Sequence, residues 1–237
     1  IMFFCLLCHG LTPPLQDLCH HCAQDMPWNQ HCCERCAEPW PDPFEGLCQQ
    51  CIQEEPHYDQ CFAPFLYQFP IDQLILQGKG GKRAELLFSL GRLLAAQLQA
   101  QQVTRPDIIV PVPLHPNKQR ERGFNQAGVI ATLVGRKLGI PVSHNLIIKV
   151  REPKQQKSLS RSGRQHNMTR AFRIQRTVLQ SLPYPVQHIA LLDDVITTGS
   201  TLNQLAKQLR SSGVERVDGW ALARAAKRNV AMPSSPI

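Results

Sequence analysis

The stretch Ile189 to Thr201, Ile-Ala-Leu-Leu-Asp-Asp-Val-Ile-Thr-Thr-Gly-Ser-Thr, constrains this chain more than any other. Its first four residues are apolar without interruption, as in a strand buried on both faces of a parallel sheet, and Leu202, Leu205, Ala206 and Leu209 then recur at helical spacing. A strand, a loop and a helix are therefore expected in that order. At such a corner the free backbone N–H groups and the positive end of the helix dipole favour an anion, most naturally a phosphate. Gly199 lets the backbone come close, Thr197, Thr198, Ser200 and Thr201 add hydroxyl donors, and Asp193 and Asp194 stand one step earlier as acceptors. A polar exit turn with a helix cap explains some of these letters. It does not explain two adjacent carboxylates, which repel each other and add little to a turn kept for stability alone.

Phosphate donors beside diol acceptors suit a ligand shaped like ribose 5-phosphate. The stretch resembles the phosphoribosyl pyrophosphate (PRPP) motif of type I phosphoribosyltransferases. That resemblance implies that Asp193 and Asp194 hold the ribose 2- and 3-hydroxyls. It implies equally that the run Val195, Ile196, Thr197, Thr198, Gly199, Ser200 and Thr201 carries the 5-phosphate.

All ten cysteines lie between Cys5 and Cys61, and eight of them form Cys-x-x-Cys pairs: Cys5/Cys8, Cys19/Cys22, Cys33/Cys36 and Cys48/Cys51. Gaps of ten, ten and eleven residues between successive pairs indicate two similar tetrathiolate modules in tandem. Two structural zinc ions suit them, since tetrahedral thiolate sites use paired ligands on tight turns. A disulfide framework is disfavoured by the absence of a secretory signal, and an iron–sulfur cluster by the wide cysteine spacing. Sequential sharing and a cross-braced pairing both fit the spacing, and Cys32 is an alternative to Cys33. His9, His20, His21, His31 and His57 are expected at the surface rather than on metal. So small a segment has little apolar core, so metal is expected to supply most of its folding free energy.

Charge divides the chain where the cysteines end. Residues 1–57 carry one basic side chain, Arg35, against eight acidic ones, and the remainder carries 25 basic against 10 acidic. A cysteine-rich module over 1–57 and a second domain over 58–237 are expected. The opening Ile-Met-Phe-Phe-Cys-Leu-Leu-Cys has neither a basic leader nor a small-residue cleavage site, and no apolar run reaches a membrane span. A cytoplasmic protein without membrane insertion is expected.

Within the second domain, Tyr58 to Tyr67 suggests a short strand or hairpin, and Lys82 to Ala100 an amphipathic helix with Leu86, Leu87, Leu90, Leu93, Leu94 and Leu98 on one face. Asp107 to Pro113 reads as a strand, Asn125 to Leu138 as a helix stopped at Gly139, Leu146 to Val150 as a short strand, and Val217 to Ala223 as the last strand. The alternation implies an open, mostly parallel α/β sheet with its ligand beyond the carboxyl ends of the strands. At that edge Pro111 to Asn125 is expected as a loop bearing His115, Lys118, Arg120 and Arg122, suited to pyrophosphate or simply solvated. From Lys149 to Arg176 there are nine basic side chains and one acid, including Lys157, Arg161, Arg164 and Arg170. So polar a segment is no core and reads as a mobile loop whose charges could meet a diphosphate or a nucleic-acid backbone.

Taken together, the Cys-x-x-Cys pairs, Pro111-Val112-Pro113-Leu114, Arg122-Gly123-Phe124-Asn125-Gln126, Gln156-Lys157-Ser158-Leu159-Ser160 and Leu192 to Thr201 resemble the ComF family of competence proteins. The chain departs from the family after Lys79, where Gly80-Gly81 stands in place of an aromatic residue. The resemblance implies a type I phosphoribosyltransferase fold behind a double zinc ribbon. It also implies PRPP with magnesium as ligand, a cytoplasmic role with transforming single-stranded DNA, and a protein partner in the competence machinery. A phosphoribosyltransferase of nucleotide metabolism with no DNA role fits the same letters, and catalysis through Asp193 and Asp194 stays open at this level.

Overall fold

Three apolar runs, around Ile109, Leu191 and Leu222, form the centre of the molecule. They are seen in a computed structural model that describes residues 3–13, 16–40, 43, 45–80, 83–150 and 171–226. Along the chain come β1 (Phe3–Phe4), β2 (Leu11–Thr12), α1 (His20–Gln24), α2 (Gln49–Gln53), β3 (Cys61–Phe62), β4 (Phe65–Leu66), α3 (Ile71–Lys79), α4 (Glu85–Ala100) and β5 (Ile108–Pro111). There follow α5 (Pro116–Arg122), α6 (Gln126–Leu138), β6 (Ile147–Lys149), β7 (Phe172–Ile174), α7 (Arg176–Gln180), β8 (His188–Ile196), α8 (Ser200–Arg210) and β9 (Arg216–Arg224). Among the described residues no helix is long and apolar enough to cross a membrane.

The main sheet has the order β3–β9–β8–β5, every pair parallel, with Ile189 opposite Ile108 and Val217. Successive side chains of a strand leave opposite faces, so each central strand feeds two cores. Ile108, Val110, Ile189, Leu191, Val217 and Ala221 meet α8 on one face. Ile109, Ala190, Leu192, Trp220 and Leu222 meet α3, α4 and α6 on the other. Leu86, Leu87, Leu90, Leu94 and Leu98 of the α4 stripe are buried and Leu93 is half-buried at its margin, and Gly139 stops α6 with φ 65°, a left-handed cap that glycine accepts readily.

Two expectations are corrected. Of the two readings of Tyr58 to Tyr67, a short strand or a hairpin, strand structure is present and the hairpin is not: β3 and β4 both run parallel to β9, Cys61 beside Gly219 and Phe65 beside Ala223. Pro64 interrupts the edge because it has no N–H to give the ladder, and its carbonyl instead accepts from Asn29 N (2.8 Å). Residues near Leu146 to Val150 do form a strand, but β6 pairs antiparallel with β7 in a separate ribbon. The basic segment between these two strands, with Lys157, Arg161, Arg164 and Arg170, lies outside the described residues.

The cysteine-rich front end is stitched to the sheet. Cys5, Leu18 and Met26 belong to the core under α3 and α4, whereas Cys33, Cys36, Cys48 and Cys51 belong to the core under α8. The two halves of the segment thus cover opposite faces of the sheet. Trp28 stacks on Phe65 with ring centroids 4.7 Å apart, and Cys61 N donates to Arg35 O (2.7 Å).

Candidate functional site

β8 carries its polar residues late. Leu191 and Leu192 are buried, and Asp193 and Asp194 follow while the strand is still paired to β9, Asp193 beside Ala221 and Ile196 beside Arg224. The acids therefore sit within the last turns of pleat rather than in the loop, and pairing on either side fixes their backbone. The loop itself is only Thr197 to Gly199. Gly199 has φ 74°, a left-handed conformation strained for any side chain, and serves as N-cap of α8. Thr197, Thr198 and Ser200 are exposed, Thr201 is half-buried, and Thr198 Oγ1 lies 2.8 Å from Ser200 Oγ while accepting from Ser200 N (3.3 Å).

The electrostatics of the acid pair are uneven. Burial, then the neighbouring charge of Asp194, pushes the Asp193 carboxyl up to about 7, against the pull of the Asp194 N–H and of Lys79 and Lys149. Asp193 Oδ1 accepts from Asp194 N (2.8 Å), and Asp194 Oδ2 meets Lys79 Nζ at 2.9 Å. Lys79 closes α3, an element whose apolar residues Ile71, Leu74 and Ile75 anchor it under the sheet. This corner can accept hydrogen bonds from a diol at the acids and donate them to an anion at the exposed hydroxyls and the α8 terminus.

The neighbouring β5 ends at the same edge, Pro111 beside Leu192. The stretch after it is a helix rather than the expected loop, because His115 caps α5 through Nδ1, accepting from Asn117 N (3.3 Å), and Pro116 suits the first turn. Arg120 on α5 is exposed, while Arg122 is half-buried and donates to Gln126 Oε1 (3.3 Å).

The cysteines resolve the pairing question in favour of sequential sharing. Cys5, Cys8, Cys19 and Cys22 form one quartet and Cys33, Cys36, Cys48 and Cys51 the other, ligand atoms within 4.8 Å of one another in each. Cys8 and Cys19 sulfurs are 3.7 Å apart, as are those of Cys36 and Cys48. Four sulfurs about 2.3 Å from a tetrahedral zinc stand about 3.8 Å apart, whereas a disulfide needs about 2 Å. The hydrogen bond between Cys36 and Cys33 pulls the pKa values of the two thiols apart, Cys33 down, helped by backbone N–H groups, and Cys36 up, so without a cation one proton stays in the pair. Cys32 and Cys61 join neither quartet, and His9, His20, His21, His31 and His57 are all exposed. These are two tetrathiolate zinc sites.

Sequence reasoning passed over Tyr58, Arg224 and Lys79, which touch the corner, and Glu38, which holds Arg224. No local motif marks them, since their partners lie far away along the chain.

Fold and sites together define an open parallel α/β protein with an acid–hydroxyl corner and two tetrathiolate modules. Residues 4–52 match the family described as "Double zinc ribbon domain". The chain is 33% identical over 225 residues to "Competence protein F" of Haemophilus influenzae, covering 92% of this chain and 90% of that one. It is 31% identical over 224 residues to "DNA utilization protein YhgH" of Escherichia coli K12, covering 93% and 89%. The chain belongs to the ComF family of competence proteins. A looser overlap, TM-score 0.30 at 15% identity over 62% of this chain and 87% of the other, exists with a purine phosphoribosyltransferase from Pyrococcus horikoshii.

Proposed function

We propose that the chain binds PRPP, with magnesium on its pyrophosphate, at the β8–α8 corner. In this reading it serves a ComF-like role in handling transforming single-stranded DNA in the cytoplasm. The observation that carries the proposal is the acid pair itself. A stability-driven fold has no use for Asp193 held at about 7 beside a second carboxylate, and ribose hydroxyls would give both acids further donors. The hydroxyl loop and the α8 terminus then serve the 5-phosphate, and Arg120 and Arg122, on the helix α5 that follows the neighbouring strand, are assigned to the pyrophosphate.

Titration calorimetry with PRPP and magnesium tests this directly: saturable binding of one PRPP per chain is expected, and none with ribose lacking phosphate. Pyrophosphate release on adding a nucleobase makes the chain a transferase in which Asp193 and Asp194 fix the ribose. Binding without release makes it a PRPP-responsive module of the DNA machinery.

The DNA half of the proposal rests on charge density in 149–176 and on the relatives named for competence and DNA utilization. Binding of a labelled single-stranded oligonucleotide, followed by anisotropy, is expected to weaken steeply as salt rises. Arg161, Arg164 and Arg170 replaced together by Ala should flatten the slope of log affinity against log salt by about two units, one phosphate contact being worth about 0.7 on single strands. No binding at low salt, or an unchanged slope, removes DNA from the proposal.

A further inference from the structure

Arg224, the last residue of β9, is 1% exposed, and its guanidinium joins two parts of the chain that the sequence keeps far apart. Nε donates to the carbonyl of Cys36 (3.0 Å) and Nη2 meets the carboxylate of Glu38, itself buried. Nη1 is turned onto the carbonyls of Ile196 (3.1 Å), Thr197 and Ala225 (2.9 Å). Cys36 is a ligand of the second quartet, and Ile196 and Thr197 open the phosphate loop. One buried cation thus ties that quartet to the loop.

The tie has a directional consequence. In a trans peptide the C=O and N–H point opposite ways. Drawing the carbonyls of Ile196 and Thr197 in toward the guanidinium therefore turns the N–H groups of Thr197 and Thr198 away from it, where an anion can reach them. Nη1 and its neighbours set which way the loop's donors aim.

Tyr58 braces the same loop from the same side. It is buried, and a Cβ built on Gly199 would lie 3.2 Å from its phenol oxygen, so the ring sits against the apex of the loop. Its other neighbours include Cys61, Cys36, Cys51 and Arg224. Residues just before and after it pin α8: His57 N donates to Asn203 Oδ1 (2.6 Å), and Arg210 donates to the His57 carbonyl (2.7 Å) and to both Asp59 carboxylate oxygens (2.7 and 2.6 Å). The first quartet differs. It lies in the core of the opposite face, with Asp17 paired to Arg92 of α4, and among the described residues no hydrogen bond joins it to the loop.

We propose that Arg224, clamped by Glu38, is the positioning residue of the phosphate loop, so that the loop's grip on an anion depends on the second cysteine quartet and not on the first. This rests on the PRPP proposal for the ligand, but not for the coupling. A lysine at 224 keeps the charge and loses the planar fork that serves several acceptors at once.

The test compares Arg224→Lys, Cys51→Ser, Cys8→Ser and His188→Gln with the unmodified full chain. His188→Gln is the control for lost stability alone, because it cuts the buried His188–Asp218 pair (2.8 Å) at the far end of β8. Zinc content, hydrogen–deuterium exchange at 196–201 and calorimetry with PRPP and magnesium are read for each. Arg224→Lys should keep two zinc ions, exchange faster in the loop and bind PRPP at least tenfold more weakly. Cys51→Ser should lose one ion and show the same loop change. Cys8→Ser should lose one ion, and His188→Gln should melt earlier, both with the loop and the affinity at wild-type values. Should Arg224→Lys fail to fold, Glu38→Gln, which keeps the shape and an acceptor oxygen, takes its place. Wild-type loop exchange in the Arg224 or Glu38 variant, or equal effects of Cys8→Ser and Cys51→Ser, overturns the proposal. If the unmodified chain does not bind PRPP, the ligand assignment fails, and loop exchange alone still decides the coupling.

Discussion

Stripping the metal with a strong chelator under reducing conditions is expected to unfold residues 4–52 and to lower the melting temperature of the whole chain. Structural zinc contributes roughly 10–16 kcal/mol of apparent binding free energy in small modules, which have no apolar core to replace it. Both quartets here stand in for core. Cys5, Cys33, Cys36, Cys48 and Cys51 are each 5% exposed or less and pack among the residues that cover the sheet. Without the cation, several thiolates would be left facing one another at 3.7 Å, and either they take up protons or the module opens. Cys8→Ser and Cys51→Ser should each remove about one zinc ion. The second should cost more stability, because Cys51 is buried under α8 whereas Cys8 is exposed. Elemental analysis and thermal melts with and without added zinc check both statements. Iron in the protein, or a metal-free protein purified under reducing conditions with an unchanged melt, contradicts them.

How far the sequence reveals this molecule depends on the range over which each feature is encoded. Ile189 to Leu192, the α4 leucines, the Gly139 cap and the Cys-x-x-Cys spacing are local patterns, and each corresponds to what the structure contains. Two-residue strands carry no period to read, so the stretch holding β3 and β4 left a short strand and a hairpin equally open, although both strands lie parallel beside β9. α5 was hidden by its charge, since Lys118, Arg120, Glu121 and Arg122 read as solvated loop and outweighed the short-range helix signals at its ends, His115 and Pro116 before it and Gly123 after it. The pairs that organise the corner are the least legible. Glu38 and Arg224 are 186 residues apart, and Lys79 is far from Asp194 in sequence. A basic residue ending a buried strand, as Arg224 does, announces that some partner exists and gives no clue to which. The acid pair was legible for the complementary reason: adjacent carboxylates after an apolar run are costly, and that cost is visible without knowing the fold.

The same cost gives the last prediction, in which stability and ligand binding move in opposite directions. With the Asp193 carboxyl raised from 3.8 to about 7, the folded chain keeps a proton that the unfolded chain has already released. Its contribution to stability is therefore greatest below pH 4, declines as pH rises from about 4 to 7, and is flat above. Asp193→Asn abolishes that decline. The variant should match the wild type near pH 4 and melt higher at pH 8, by roughly 2–4 kcal/mol of stability if most of the shift is realised. PRPP binding should respond the other way. Ionised carboxylates accept hydroxyl donors at roughly 1.5–3 kcal/mol each, so Asp193→Asn with Asp194→Asn should weaken binding by more than tenfold at pH 8. Wild-type affinity should also rise between pH 6 and 8 as Asp193 loses its proton. The double variant, measured over the same range, reports the ligand's own titration and should lack the protein's part of that rise. Thermal melts of the wild type and Asp193→Asn at pH 4, 6 and 8, with calorimetric titrations of the wild type and the double variant at pH 6 and 8, measure the two effects. An Asp193→Asn variant that melts lower at pH 8 than the wild type would mean that Asp193 is kept for the fold, and an unchanged affinity in the double variant would take the ribose away from this corner.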